Sequence, residues 1–243
     1  MRNLFFLLLI LPLTSCGKSN LNWLILSPNN IEGLTNLKFL LSGITTTIYI
    51  SVISIVISMI IGFIVAVPSL AKNKFLTYLN IGYVEIVRAI PLLVLILWIY
   101  YGLPIMTGIS FSPFVSGIIA LSISESAFQA EIFRAGINSI KKAQWEAGSS
   151  LGLGFFRKLR FVILPQAVKN ILPAIGNQFV YVLKMSSLVS IIGIGDLTRK
   201  ANELVVTTYR PLEIYTFLIL EYLVLILIVS YLVRKLEKKL QKD

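Results

Sequence analysis

Long apolar runs, broken by short polar and basic segments, organise the chain. No charged residue lies between Lys38 and Lys72, a stretch longer than the roughly 20 residues a membrane-spanning helix needs. It predicts a first span over 42–67. Ser51, Ser54 and Ser58 recur within it every three or four residues, which places them on one helix face. Small polar residues let backbones approach, so that face is expected to pack against other helices. Four more runs predict spans over 81–101, 114–135, 170–192 and 212–233. Pro91 falls inside the second, whose far end, Trp98, Tyr100 and Tyr101, has the composition of an interfacial aromatic belt.

The beginning of the chain reads differently. Met1-Arg2-Asn3 precedes an apolar run over 4–13. As a helix this run would rise about 15 Å, half of a hydrocarbon core of about 30 Å. A short basic start, a short apolar run and small residues form the pattern of a secretory signal. Leu13-Thr14-Ser15-Cys16 resembles a lipobox, in which cleavage precedes the Cys and the Cys is lipidated; the alternative is an uncleaved signal anchor. Residues 1–16 are therefore expected to be a signal segment, and 17–41 an extracytoplasmic N-terminal segment.

Composition supports the same class. The 243 residues are 56% hydrophobic and 14% charged, where soluble domains average about 45–50% and about 25%. Too little polar surface is present to cover a soluble chain of this length. The expected fold class is an all-α integral membrane protein of about five transmembrane helices, one domain over 42–233 followed by a basic tail over 234–243. The chain has no His, which excludes His acid–base chemistry, Ser–His or Cys–His nucleophiles and His-ligated metals. Its single Cys, Cys16, excludes an intrachain disulfide and a thiolate cluster. No metal site and no cofactor are expected.

The net charge of +11 would suggest nucleic acid in a soluble protein. Its distribution points elsewhere. With the mature N-terminus outside, the inside segments 69–79, 134–167 and 234–243 carry 13 Lys and Arg, and the outside segments carry five. This is the positive-inside bias of a membrane protein, and it predicts a cytoplasmic C-terminus. The excess is topological, and no nucleic-acid partner is expected.

The loop over 138–167 carries the most specific pattern. Glu146-Ala147-Gly148 is followed after three residues by Gly152, then after nine by Val162, and after one more by Leu164-Pro165. By composition alone this is an amphipathic hairpin between two spans. Its spacing resembles the EAA motif of ABC-importer permeases, which reads EAA, three residues, G, nine residues, I, one residue, LP. Gly148 stands where the motif has its second Ala, and Val162 where it has Ile. The likeness extends over roughly residues 37 to 240 and is strongest to the polar amino acid permeases, importers of His, Glu, Gln, Arg and opines. Leu41-Ser42-Gly43 with Thr45–Thr47, Tyr83–Arg88 with Pro91-Leu92-Leu93, Ser126–Phe128 with Ala130–Ile137, and Lys184 with Ser186–Ser190 all resemble segments of that family. Ala89-Ile90 and Met185 depart from it.

The resemblance implies an all-helical permease that works as a dimer with itself or a related second permease. It implies a cytoplasmic pair of ABC ATPases and an external solute-binding protein as partners. Glu146, Ala147, Gly152, Leu164 and Pro165 would form the hairpin that docks on the ATPase. The chain has no GxxxxGK[ST] phosphate loop of its own, so it is expected to be a transport subunit and not an enzyme.

Charges within spans are costly and face the bundle or a watery path. Glu125 lies nine residues before Arg134, with Ser122 and Gln129 on the same helix face at i−3 and i+4. These three, with Lys184, Ser186, Ser187 and Glu221, are the candidate path residues. Lys184 and Glu221 could instead pair between neighbouring helices. Glu85 and Arg88, at i and i+3, are expected to form an interfacial pair. The alternatives in function are the same architecture carrying methionine or another small organic ion, and a membrane scaffold without transport.

Overall fold

The computed structural model describes residues 22–70 and 74–240. The signal segment, Cys16 and Lys72 lie outside the described residues. Every regular element among the described residues is helical. A single turn, Trp23–Leu26, precedes α1 (Ile31–Leu41) and α2 (Gly43–Ser69). Then come α3 (Lys74–Ala89), α4 (Leu92–Thr107), α5 (Pro113–Asn138), α6 (Lys142–Ser150), α7 (Phe155–Ile192), α8 (Leu197–Thr208) and α9 (Pro211–Leu240).

Local chemistry sets the boundaries. Ser112 accepts a hydrogen bond from the Val115 amide, and Pro113 opens α5 with its φ already helical. Asp196 caps α8 by accepting from the amides of Thr198 and Arg199. Two π-turns, Trp98–Gly102 in α4 and Leu159–Ile163 in α7, each stand just before a proline, Pro104 and Pro165. A proline without an N–H cannot continue an α-helical ladder, and the wider turn makes room for its ring.

The runs Ile31–Ser69, Phe155–Ile192 and Pro211–Lys239 are long and apolar enough to cross a membrane. α5, 26 residues and about 39 Å long, packs against the first two of these runs and against α3 and α4. The second span, expected over 81–101 with Pro91 inside it, is a bent pair of helices. α3 and α4 meet at 90°, and Pro91 sits in extended backbone between them. The residue before a proline avoids helical backbone, so α3 stops at Ala89 and the chain turns. The fourth span also begins earlier than the expected residue 170, because the aromatic and basic stretch after residue 154 is already helical.

α2 and α5 form the most extensive helix pair. Ser51, Ser54 and Ser58 are fully buried, as their spacing predicted. A Cβ on Gly62 would lie 2.6 Å from Gln129 Cβ and 2.8 Å from the Ala130 nitrogen, so only glycine permits this crossing. α9 exposes a band of Ile219, Leu223, Val224, Leu227 and Ile228 suited to lipid. At the end of the bundle away from α6, the Asn22 amide donates to Glu213 at 2.9 Å and ties the N-terminal turn to α9.

Candidate functional site

Two regions carry chemistry: the α6 hairpin at one end of the bundle and a polar core at mid-length. In the hairpin, α6 is short and its one buried residue is Gly148. Gly152 adopts φ +70°, a left-handed conformation that favours glycine and reverses the chain towards α7. The Leu153 amide donates to the Gly148 carbonyl at 3.1 Å across this turn. Trp145 stacks on Phe155, with centroids 6.3 Å apart and planes at 21°. Gln166 bonds Gln144 at 3.2 Å, and Asn170 bonds Ser139 at 2.8 Å. α6 is thus fastened to α7, and Asn170 of α7 also holds Ser139 at the end of α5. Glu146 remains 63% exposed; among the described residues its ion-pair partner is the still more exposed Lys142, at 3.1 Å. Ala147 is exposed, Leu164 half-buried and Pro165 exposed. A cleft of about 700 Å³ lies between Leu70 and Asn138 on the bundle and Trp145, Glu146 and Lys158 on the hairpin.

The polar core is built on one face of α5. Ser122, Glu125 and Gln129 are each at most 2% exposed, and they share the face their spacing predicted. Gln178 of α7 donates to the Glu125 carboxylate. Ser122 donates to the Ser54 carbonyl of α2 at 3.4 Å. The second Glu125 oxygen and both ends of the Gln129 amide have no hydrogen-bond partner among the described residues. Buried polar groups are normally partnered, so this core holds more donor and acceptor capacity than the described residues use.

The other candidates are placed as follows. Lys184 is exposed and opens on a groove of about 520 Å³ lined by Asn177, Tyr181, Ser230, Arg234 and Glu237. Glu221 is 7% exposed and neither of its oxygens has a partner among the described residues, so the structure does not pair it with Lys184. Ser186 is buried and Ser187 partly exposed, and each donates to its own helix three residues back at 2.8 Å. Those bonds accompany the tightening of α7 into its last turns, Ser186–Ile192.

The expected Glu85–Arg88 pair is a correction. Arg88 instead reaches across to α5, where its Nη1 lies 2.5 Å from Glu131 Oε2. Arg134 Nη2 lies 3.5 Å from the other Glu131 oxygen. Arg88 also stands 4.8 Å over the Phe128 ring, and Phe128 meets Tyr181. Sequence reasoning missed Glu131, Gln178 and Tyr181 as site residues. Glu131 lies two residues beyond Gln129, off the stripe of Ser122 and Glu125, so the stripe did not include it. Among the described residues no group of three or more Asp, Glu, Cys or His could hold a metal.

Residues 58–242 match the family described as the binding-protein-dependent transport system inner membrane component. The chain belongs to this family. It is 34% identical over 210 residues to the arginine transport system permease protein ArtQ of Bacillus subtilis, covering 86% of this chain and 96% of that one. It is 39% identical over 208 residues to the probable glutamine ABC transporter permease protein GlnM of the same organism, covering 86% and 96%. A crystal structure of an amino acid ABC transporter with histidines superposes with a TM-score of 0.77 at 37% identity, covering 85% of this chain and 96% of that chain. The EAA-like hairpin and the polar core both fall inside the region shared with this inner-membrane family.

Proposed function

We propose that this chain is the permease subunit of an ATP-driven importer of polar amino acids. The observation that carries the reading is the hairpin: Glu146 exposed on a short helix that is fastened to α7 by aromatic stacking and a side-chain amide bond, while Asn170 of α7 ties down Ser139 at the start of the loop. Such an element passes force from a partner into the bundle. The partner is a pair of ATPase subunits on the cytoplasmic side, where the basic segments lie. ATP binding draws the hairpins together, and the spans alternate between inward and outward access. A solute-binding protein delivers the amino acid from outside.

The polar core is the proposed contact with the solute. Glu125, set among Ser122, Gln129 and Gln178, holds the α-ammonium or a cationic side chain, and its unpartnered oxygen is free to accept from it. Hydrocarbon does not solvate an ammonium. The exposure of Lys184 with Asn177 and Tyr181 therefore supports a watery path, or a second permease subunit, against that face. Residues 1–15 would be removed as a signal by cleavage before Cys16, leaving Cys16 as the lipid anchor; loss of fatty-acid labelling in Cys16→Ser tests this.

Reconstitution with the ATPase and binding protein, followed by uptake of labelled amino acids, methionine and other organic ions, tests the whole reading. ATP-dependent uptake confined to polar amino acids is the expected result. Uptake of methionine alone, or none of any solute with the complex intact, would overturn it.

A further inference from the structure

We propose that Gly148 and Lys158 are a matched pair that seats the hairpin on α7, with Lys158 acting as a positioning residue for coupling. The proposal rests on the reading of the hairpin as the coupling element, and it explains why this chain departs from the EAA pattern at Gly148.

A glycine within a helix weakens it relative to alanine. Placing one at the seventh position of a nine-residue helix that must transmit force therefore needs a local reason. The reason lies opposite. A Cβ on Gly148 would stand 2.7 Å from Lys158 Cγ and 3.1 Å from Lys158 Cδ. The aliphatic stem of Lys158 thus lies flat against the bare backbone of Gly148, in the space an alanine methyl would fill. The Lys158 ammonium continues along α6 to Ser149 Oγ, 2.5 Å away. Gly148 is the buried residue of α6, so this is where the helix meets the bundle.

Lys158 is well placed to transmit what it receives. It closes the first turn of α7, Phe155–Lys158, and stands immediately before the π-turn Leu159–Ile163 that leads to Leu164-Pro165. The Trp145–Phe155 stack forms a second attachment beside it. Two contacts between α6 and the first turn of α7 prevent rotation where one would act as a pivot. The long side chain on α7 and the missing side chain on α6 make up one packing unit, so neither should be exchanged alone.

Helix propensity and the seat predict opposite outcomes for one substitution. Gly148→Ala should strengthen α6 by propensity alone. If the seat governs, the new methyl displaces Lys158, and uptake per ATP hydrolysed falls about tenfold, as overpacking at a coupled contact produces. Lys158→Ala opens the seat and gives a smaller loss. Gly148→Ala with Lys158→Ala puts a methyl into the vacated space and restores coupling to near the unmodified level. Hydrogen exchange of the 142–158 amides in the same complex should follow the same order: faster in Gly148→Ala, restored in the double variant.

Unchanged or improved coupling in Gly148→Ala overturns the pairing, as does failure of the double variant to recover. Lys158→Ala, at a partly exposed side chain, reports on the seat even where Gly148→Ala does not assemble; full coupling in Lys158→Ala overturns the pairing. Glu146→Ala is the control for the reading beneath. If it leaves ATP-driven uptake intact, the hairpin is not the coupling element, and hydrogen exchange alone then decides whether the seat exists.

Discussion

Gln178 on α7 donates to the carboxylate of Glu125 on α5, joining the two helices at mid-length of the bundle. The bond uses one carboxylate oxygen and leaves the other without a partner among the described residues. Glu125→Gln keeps an acceptor for Gln178 and removes the charge. Assembly should be unaffected, while uptake falls at least about tenfold, the effect of losing a charged hydrogen bond of about 1.5–3 kcal/mol. Initial uptake rates, with the amount of assembled complex measured in parallel, check this. Unchanged uptake would remove Glu125 from the path.

Glu131 holds two arginines, Arg88 at 2.5 Å and Arg134 at 3.5 Å, whereas Glu85 forms no ion pair among the described residues. All three charged side chains of the cluster are between 42% and 44% exposed, so the network is worth about 1 kcal/mol or less. Glu131→Gln should lower thermal stability in detergent slightly, and Glu85→Gln should leave it unchanged. Equal effects of the two would mean that Glu85 also binds Arg88.

The α2–α5 crossing depends on Gly62, where any Cβ meets backbone and side-chain atoms of α5 closer than 3.0 Å. Gly62→Ala should destabilise the protein by about 1–3 kcal/mol through overpacking. Gly82 in α3 provides the contrast, because among the described residues nothing lies within 4 Å of the point where its Cβ would stand. Gly82→Ala should stabilise by about 0.5–1 kcal/mol through helix propensity alone. Thermal unfolding of both variants under one detergent condition checks the pair.

Asp196 is fully buried and lies outside the membrane-spanning runs, at the start of α8. Burial pushes its carboxyl from the usual 3.8 up to about 6, against the opposing pull of the Arg199 and Thr198 amides. The folded pKa lies above the unfolded one, so between the two the folded chain holds more protons. This group's contribution to stability is therefore greatest below about pH 4, declines as pH rises through about 6, and then levels off. Asp196→Asn keeps a capping side chain and abolishes that slope. Melting temperatures at pH 4.5, 6 and 7.5 for both proteins test it; parallel curves would show that the carboxyl titrates normally.

Much of this protein is determined by its sequence alone, because membrane insertion and helix formation act over short distances. Apolar length marked three of the five expected spans as runs able to cross a membrane, with a bent pair as a fourth, and the three-to-four-residue recurrence of Ser51, Ser54 and Ser58 put them on the buried face that the structure confirms. The same periodicity aligned Ser122, Glu125 and Gln129, and fixed spacing from Glu146 to Pro165 marked the hairpin. The tertiary structure decided which partners these residues meet. Gln178 comes to Glu125 from 53 positions away, and Arg88 turns from nearby Glu85 to Glu131, 43 positions away. Lys184 and Glu221 remain apart, and the chain turns through 90° at Pro91. Such choices depend on how separate helices pack. Buried polar groups take whichever partner that packing brings within reach, and no local pattern encodes the approach.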